Sequence, residues 1–162
     1  MLKTYKLFLT RIKKIEILCA VALFGFIVSV IALQIFVRYL FGKPFPWAEE
    51  LSSLLLIYLT FLTADIVYKD KGHIAIDYFI NFLSDRWKAS LALLIYAFIG
   101  IFIIVLIPKC IALLKMQAGH STAATLALPK SFWSLPVPIA FGSMLLTTIY
   151  FIMQELRQLF KK

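Results

Sequence analysis

Of 162 residues, 62% are hydrophobic and 15% aromatic while 15% are charged, too little polar surface to coat a soluble domain. The formal net charge of +9 does not point to nucleic acid, because the basic residues are dispersed among apolar runs rather than gathered on one face. There is no Cys-x-x-Cys, no nucleotide-binding glycine loop and no Ser/His/Asp set, so neither a dithiol redox centre nor an enzyme is expected.

Four segments, at about 15–38, 47–68, 88–110 and 133–156, have the roughly 20 apolar residues that a hydrocarbon core of about 30 Å demands of a helix. Lipid offers backbone N–H and C=O groups no partners, so the expected fold is an all-α integral membrane protein with four transmembrane helices in a single membrane domain. Before the first span lie Lys3, Lys6, Arg11, Lys13 and Lys14. The uncharged run from Ile17 to Val37 is longer than a signal-peptide core and ends without a small-x-small site, so it reads as a retained span. Along it Ala22, Gly25, Ser29 and Ala32 form a small-residue face that lets another helix approach closely, in this chain or another.

Near the end of this span Gln34 and Arg38 fall four apart. The tight turn Gly42-Lys43-Pro44-Phe45-Pro46 follows, with Pro46 suited to the first turn of the second helix and Trp47 beside it. Glu49 and Glu50 then sit where a helix N-terminus favours negative charge. A helical hairpin makes these ends neighbours, which predicts an interfacial ion pair with Arg38; the sharper alternative is a carboxylate that holds a substrate or ion. Adjacent residues point about 100° apart, so only one glutamate can face Arg38 squarely. Asp65 falls near the inner boundary with Lys69 as its i+4 partner, a structural pairing, with a proton relay as the sharper alternative.

After the break at Lys69-Asp70-Lys71-Gly72, the polar residues His73, Asp77, Asn81 and Ser84 recur with helical spacing among apolar ones. They predict a short amphipathic interfacial helix at about 73–84, on which His73 and Asp77 could pair. Beyond the third span, the polar stretch Lys115 to Lys130 leads to Trp133, an interfacial anchor, and to Pro136 and Pro138, which predict an irregular entry to the fourth helix. His73 and His120 fall on opposite sides of the membrane and cannot share a metal or bracket a haem, so no metal or cofactor is expected. Cys19 and Cys110 lie near opposite faces, too far apart for a disulfide.

With the N-terminus inside, twelve basic residues lie on the cytoplasmic side and five outside (Arg38, Lys43, Lys109, Lys115 and Lys130). The positive-inside rule therefore places both termini in the cytoplasm. No carboxylate lies deep within a span, whereas a carrier of ions or anionic solutes needs polar groups or broken helices near the midplane. The expected role is support of another, transporting subunit. Two other readings are a self-sufficient four-helix proton-coupled exporter and a membrane anchor of a redox complex, the latter short of histidine ligands.

Arg38, the run Phe45-Pro46-Trp47-Ala48-Glu49-Glu50-Leu51, the element Lys71-Gly72-His73-Ile74-Ala75-Ile76-Asp77, and Leu126-Ala127-Leu128-Pro129 with Trp133 and Pro136 together resemble the DctQ-type small permease subunit of tripartite ATP-independent periplasmic (TRAP) transporters. The resemblance covers roughly 15–155 and agrees in the number and order of spans. It implies a location in the bacterial inner membrane and a non-catalytic scaffold role beside a large DctM-type permease subunit. That subunit would carry the substrate and sodium sites and move like an elevator. A periplasmic solute-binding protein of the DctP type would deliver a carboxylate, sialic acid or sugar acid, with uptake driven by sodium. Arg38, Trp47, Glu49, Glu50, Gly72, His73 and Asp77 carry over as motif positions with structural or interface roles.

Overall fold

A computed structural model describes residues 2–42, 45–70, 85–119 and 128–160, with side chains over 5–42, 45–70, 90–119 and 128–157. The helices are α1 (Leu2–Phe41), α2 (Pro46–Lys69), α3 (Asp85–Gln117), the single turn α4 (Ser131–Ser134) and α5 (Pro136–Phe160). Four of them are long and apolar enough to cross a membrane. The segment expected as an interfacial helix, 73–84 with Gly72, His73 and Asp77, lies outside the described residues.

The first helix is longer than its apolar run. It has 40 residues, about 60 Å at 1.5 Å per residue, twice the hydrocarbon thickness. The basic segment before Ile15 contains neither Gly nor Pro and is rich in Lys, Leu and Arg, which are good helix formers, so nothing halts the helix there. It stops at Gly42, whose φ of 67° lies in the left-handed region, and whose N–H donates to the Arg38 carbonyl at 3.0 Å. This is a glycine C-terminal cap. The extended Phe45 then leads into Pro46 at the start of α2.

Prolines remove backbone donors from the other helices. Pro108 lies inside α3, which continues to Gln117 rather than ending near 110. The entry to the last span is irregular, because α4 breaks at Leu135 and α5 restarts at Pro136. Pro136 has no N–H for the carbonyl of Phe132, four residues earlier. That carbonyl instead accepts a hydrogen bond from the Tyr58 hydroxyl of α2 at 3.0 Å, as expected where lipid offers no substitute. Nearby, the Ser134 hydroxyl reaches Gln117 Oε1 at 2.7 Å and ties α4 to the end of α3.

The centre of the bundle is α5. It packs against α3, α2 and α1 and buries Ala140, Thr147, Thr148 and Phe151. Gly100 of α3 faces the Thr148 methyl, and Tyr96 of α3 meets Phe151 with ring centroids 5.0 Å apart. The α1–α2 seam buries Ile27, Val30, Ala48 and Leu54. Outward faces are strongly apolar: Phe24 of α1 is 60% exposed and Phe98 of α3 71%. Apolar exposure on this scale requires lipid or another protein around the bundle. Three hydroxyls on the spans fold back onto the preceding turn, Ser29 to Gly25, Thr60 to Leu56 and Thr147 to Ser143, and are so satisfied without water, whereas the buried Ser52 hydroxyl has no partner among the described residues.

Candidate functional site

The end of α2 carries the densest polar cluster. Lys69 is the last residue of the helix, yet its side chain is only 4% exposed. Its ammonium donates to Asp65 Oδ2 at 2.9 Å, to both oxygens of Glu16 at 2.5 Å and to the Ser143 hydroxyl at 2.9 Å. Three elements thus meet on one nitrogen: Glu16 from α1, Asp65 one turn back on α2, and Ser143 from α5. An ammonium has three N–H groups, and these partners occupy them. Ser143 lies within the uncharged part of α5, about 10 Å along the helix from Pro136.

Around this junction run two further links. One turn earlier on α1, Lys13 forms an ion pair with Asp70; both side chains are more exposed, so the pair contributes at most about 1 kcal/mol. On the other side, Tyr68 and Thr148 are hydrogen-bonded at 2.6 Å. The Thr148 proton is directed to the Met144 carbonyl at 2.8 Å, so Tyr68 is the donor in that pair. Still further along, the Tyr5 hydroxyl donates to the Leu146 carbonyl at 3.0 Å, and its ring stacks on Tyr150.

Asp65 is 2% exposed, and its second oxygen, Oδ1, is buried without a hydrogen-bond partner. Beside the junction lies a cavity of about 130 Å³, lined by Glu16, Asp65, Ser143 and Tyr58 and by apolar residues such as Phe61 and Ile139. Among the described residues no group of three or more metal-ligating side chains occurs, and Cys19 and Cys110 are free thiols.

The turn end of the α1–α2 hairpin differs. Arg38 is exposed in the last turn of α1 and lines a shallow depression with Ile35 and Tyr39. Glu49 is exposed, Glu50 half-buried, and Ala48 between Trp47 and Glu49 is buried. Among the described residues Arg38 has no carboxylate within ion-pair distance. The interior of the α1–α2 seam is taken by Ala48, Ile27 and Val30, which leaves the flanking charges outside it. Gln34 is half-buried on α1. Trp47 stacks against Phe45, with ring centroids 5.9 Å apart. Trp133 is half-buried, and its indole N–H has no partner. The small-residue face of Ala22, Gly25, Ser29 and Ala32 is exposed, and a Cβ built on Gly25 meets nothing within 4 Å.

Sequence reasoning paired Asp65 with Lys69 from their i,i+4 spacing but passed over Glu16 and Ser143. Glu16 had a signal: it is the only acid in the described part of α1, directly before the uncharged run Ile17 to Val37. Ser143 had none, because its register against α2 depends on packing.

Residues 27–158 match the family model described as "Tripartite ATP-independent periplasmic transporters, DctQ component". The chain is 26% identical over 152 residues to the sialic acid TRAP transporter small permease protein SiaQ of Vibrio cholerae, covering 92% of this chain and 82% of that protein. It is also 29% identical over 87 residues to the sialic acid TRAP transporter permease protein SiaT of Haemophilus influenzae, which is 51% of this chain but 14% of that longer protein. With four membrane-length helices in the same chain that matches the model over most of its length, this protein belongs to the DctQ component family of TRAP transporters.

Proposed function

We propose that this chain is the small, non-catalytic scaffold subunit of a sodium-coupled TRAP importer of an organic acid, with sialic acid the first solute to test. In this reading it sits in the bacterial inner membrane with both termini in the cytoplasm. It braces a large DctM-type permease subunit that holds the solute and sodium sites, while a DctP-type periplasmic protein delivers the solute. The names of the relatives support the solute class, and the distribution of basic residues supports the orientation.

The observation that carries the scaffold role is the way charge is arranged inside the bundle. Lys69 binds Glu16 across the α1–α2 seam and Asp65 one turn back on α2, and the cavity beside them is small and mostly apolar. A groove of about 650 Å³ beside α2 is lined mainly by Leu59, Ala64, Val67 and Met144, surroundings suited to hydrocarbon rather than to a carboxylate. Outside, the free small-residue stripe on α1 gives a helix of the large subunit room to approach. Arg38, Trp47 and Glu49 stand at the end where a periplasmic partner would dock.

Reconstitution tests this. The chain, a large permease subunit and a binding protein are placed in proteoliposomes, together and in every omission, and uptake of labelled sialic acid and other organic acids is followed with and without an inward sodium gradient. Uptake is expected only from the three components with sodium. Solute movement by this chain alone would overturn the scaffold role and favour the self-sufficient exporter.

A further inference from the structure

The buried junction has one negative charge more than its cation balances. Glu16 and Asp65 both approach the same ammonium nitrogen, at 2.5 and 2.9 Å, and their side chains are 12% and 3% exposed. Two ionised carboxylates so close repel each other, and one unbalanced charge away from water is strongly disfavoured. The next cation, Lys13, is occupied by Asp70. Lys69 has no further N–H to give, and Asp65 Oδ1 stands without a partner beside a small, largely apolar cavity.

We propose that the Glu16–Asp65 pair is a proton-binding site that holds one exchangeable proton per chain at neutral pH. The proton makes the junction neutral as Glu16/Asp65/Lys69 and converts one carboxylate oxygen from acceptor to donor. Just beyond the junction, past the end of α2, lies the partly exposed Lys13–Asp70 pair.

A metal cation fits less well. The cavity walls are mostly carbon, and an ammonium already occupies the point that both carboxylates face. The groups around the pair are known from each packed element. From α1 there is Lys13; from α2 there are Tyr58, Tyr68, Lys69 and, just beyond its end, Asp70. From α5 the hydroxyls of Ser143 and Thr148 approach, and Tyr150 is engaged with Tyr5. Bound proton and bound ammonium together hold α1, α2 and α5 at one point, so proton release would loosen this three-helix contact.

Infrared spectroscopy of the full chain in lipid nanodiscs reads the proton directly, independently of any transport assay. At neutral pH a protonated carboxyl C=O band is expected that shifts in deuterated water. Both Glu16→Gln and Asp65→Asn should abolish it, because each leaves one carboxylate balanced by Lys69, while Glu49→Gln should leave it unchanged. Absence of the band from the unaltered chain would overturn the proposal, as would its persistence in both variants. Loss of the band on adding sodium or potassium at fixed pH would replace the proton by a metal cation and overturn it equally. Should a variant fail to fold, the band of the unaltered chain and its ion response still decide.

Discussion

The two ends of the α1–α2 hairpin handle charge in opposite ways. At the open end, where α2 finishes, Lys69 is buried and saturated by Glu16, Asp65 and Ser143. At the turn end Arg38 and Glu49 are exposed and do not pair with each other. The difference follows from where the third helix arrives. Close to Lys69, α5 closes over the seam and excludes water, so every charge there needs a partner within the chain. Near Arg38 the flanking side chains stand outside the packed seam, and these charges remain available to water, lipid headgroups or another subunit.

Substitutions can break this contrast. The largest effect is expected from Lys69→Met, which leaves two buried carboxylates facing each other; loss of about 3–5 kcal/mol is expected for removing one member of a buried pair, read as a fall in thermal midpoint in detergent. Lys13→Met should cost less than about 1 kcal/mol in the same assay. Equal losses for the two would show that burial does not separate these ion pairs.

Gly42→Ala is next. It places a Cβ at a φ of 67° and should cost about 1–2 kcal/mol, with the hairpin remaining intact by crosslinking across the turn. A neutral result would mean that the turn readily adopts another conformation.

Tyr58→Phe removes the hydroxyl that satisfies the Phe132 carbonyl and should cost about 1 kcal/mol. In a Pro136→Ala background, where a backbone N–H becomes available to that carbonyl, the loss should shrink. Identical losses in both backgrounds would refute the link between the proline and the tyrosine.

The smallest effects on the chain itself are expected at the turn end of the hairpin and on the small-residue stripe. Arg38→Ala and Gly25→Leu should change its stability by no more than about 0.5 kcal/mol. Each should nonetheless lower recovery of the complex with the large permease subunit, which Lys162→Ala leaves unchanged. Equal recovery for all three variants would place the subunit contact elsewhere.

Much of the fold was legible locally. Runs of apolar residues gave four spans, Gly42 and Pro46 bounded the first hairpin, and Pro136 marked an irregular entry, because length, left-handed backbone and a missing N–H act within a few residues. The candidate junction was legible only in part. The spacing of Asp65 and Lys69 lies within one helix turn, but Glu16 is 53 residues from Lys69 and Ser143 is 74. The small residues of α1 show the same limit: their spacing signals close approach, yet α2 packs on the neighbouring face of Ile27 and Val30.

The sequence by itself determined that this chain is a set of membrane-spanning helices and which family it resembles, since both follow from the order of apolar runs and short motifs. Tertiary structure decided the register. Docking of α5 against α2 set Ser143, part-way along an uncharged helix, beside charges from the ends of two other apolar runs. No single run contains that alignment, because it arises from side chains on three helices fitting together in one arrangement.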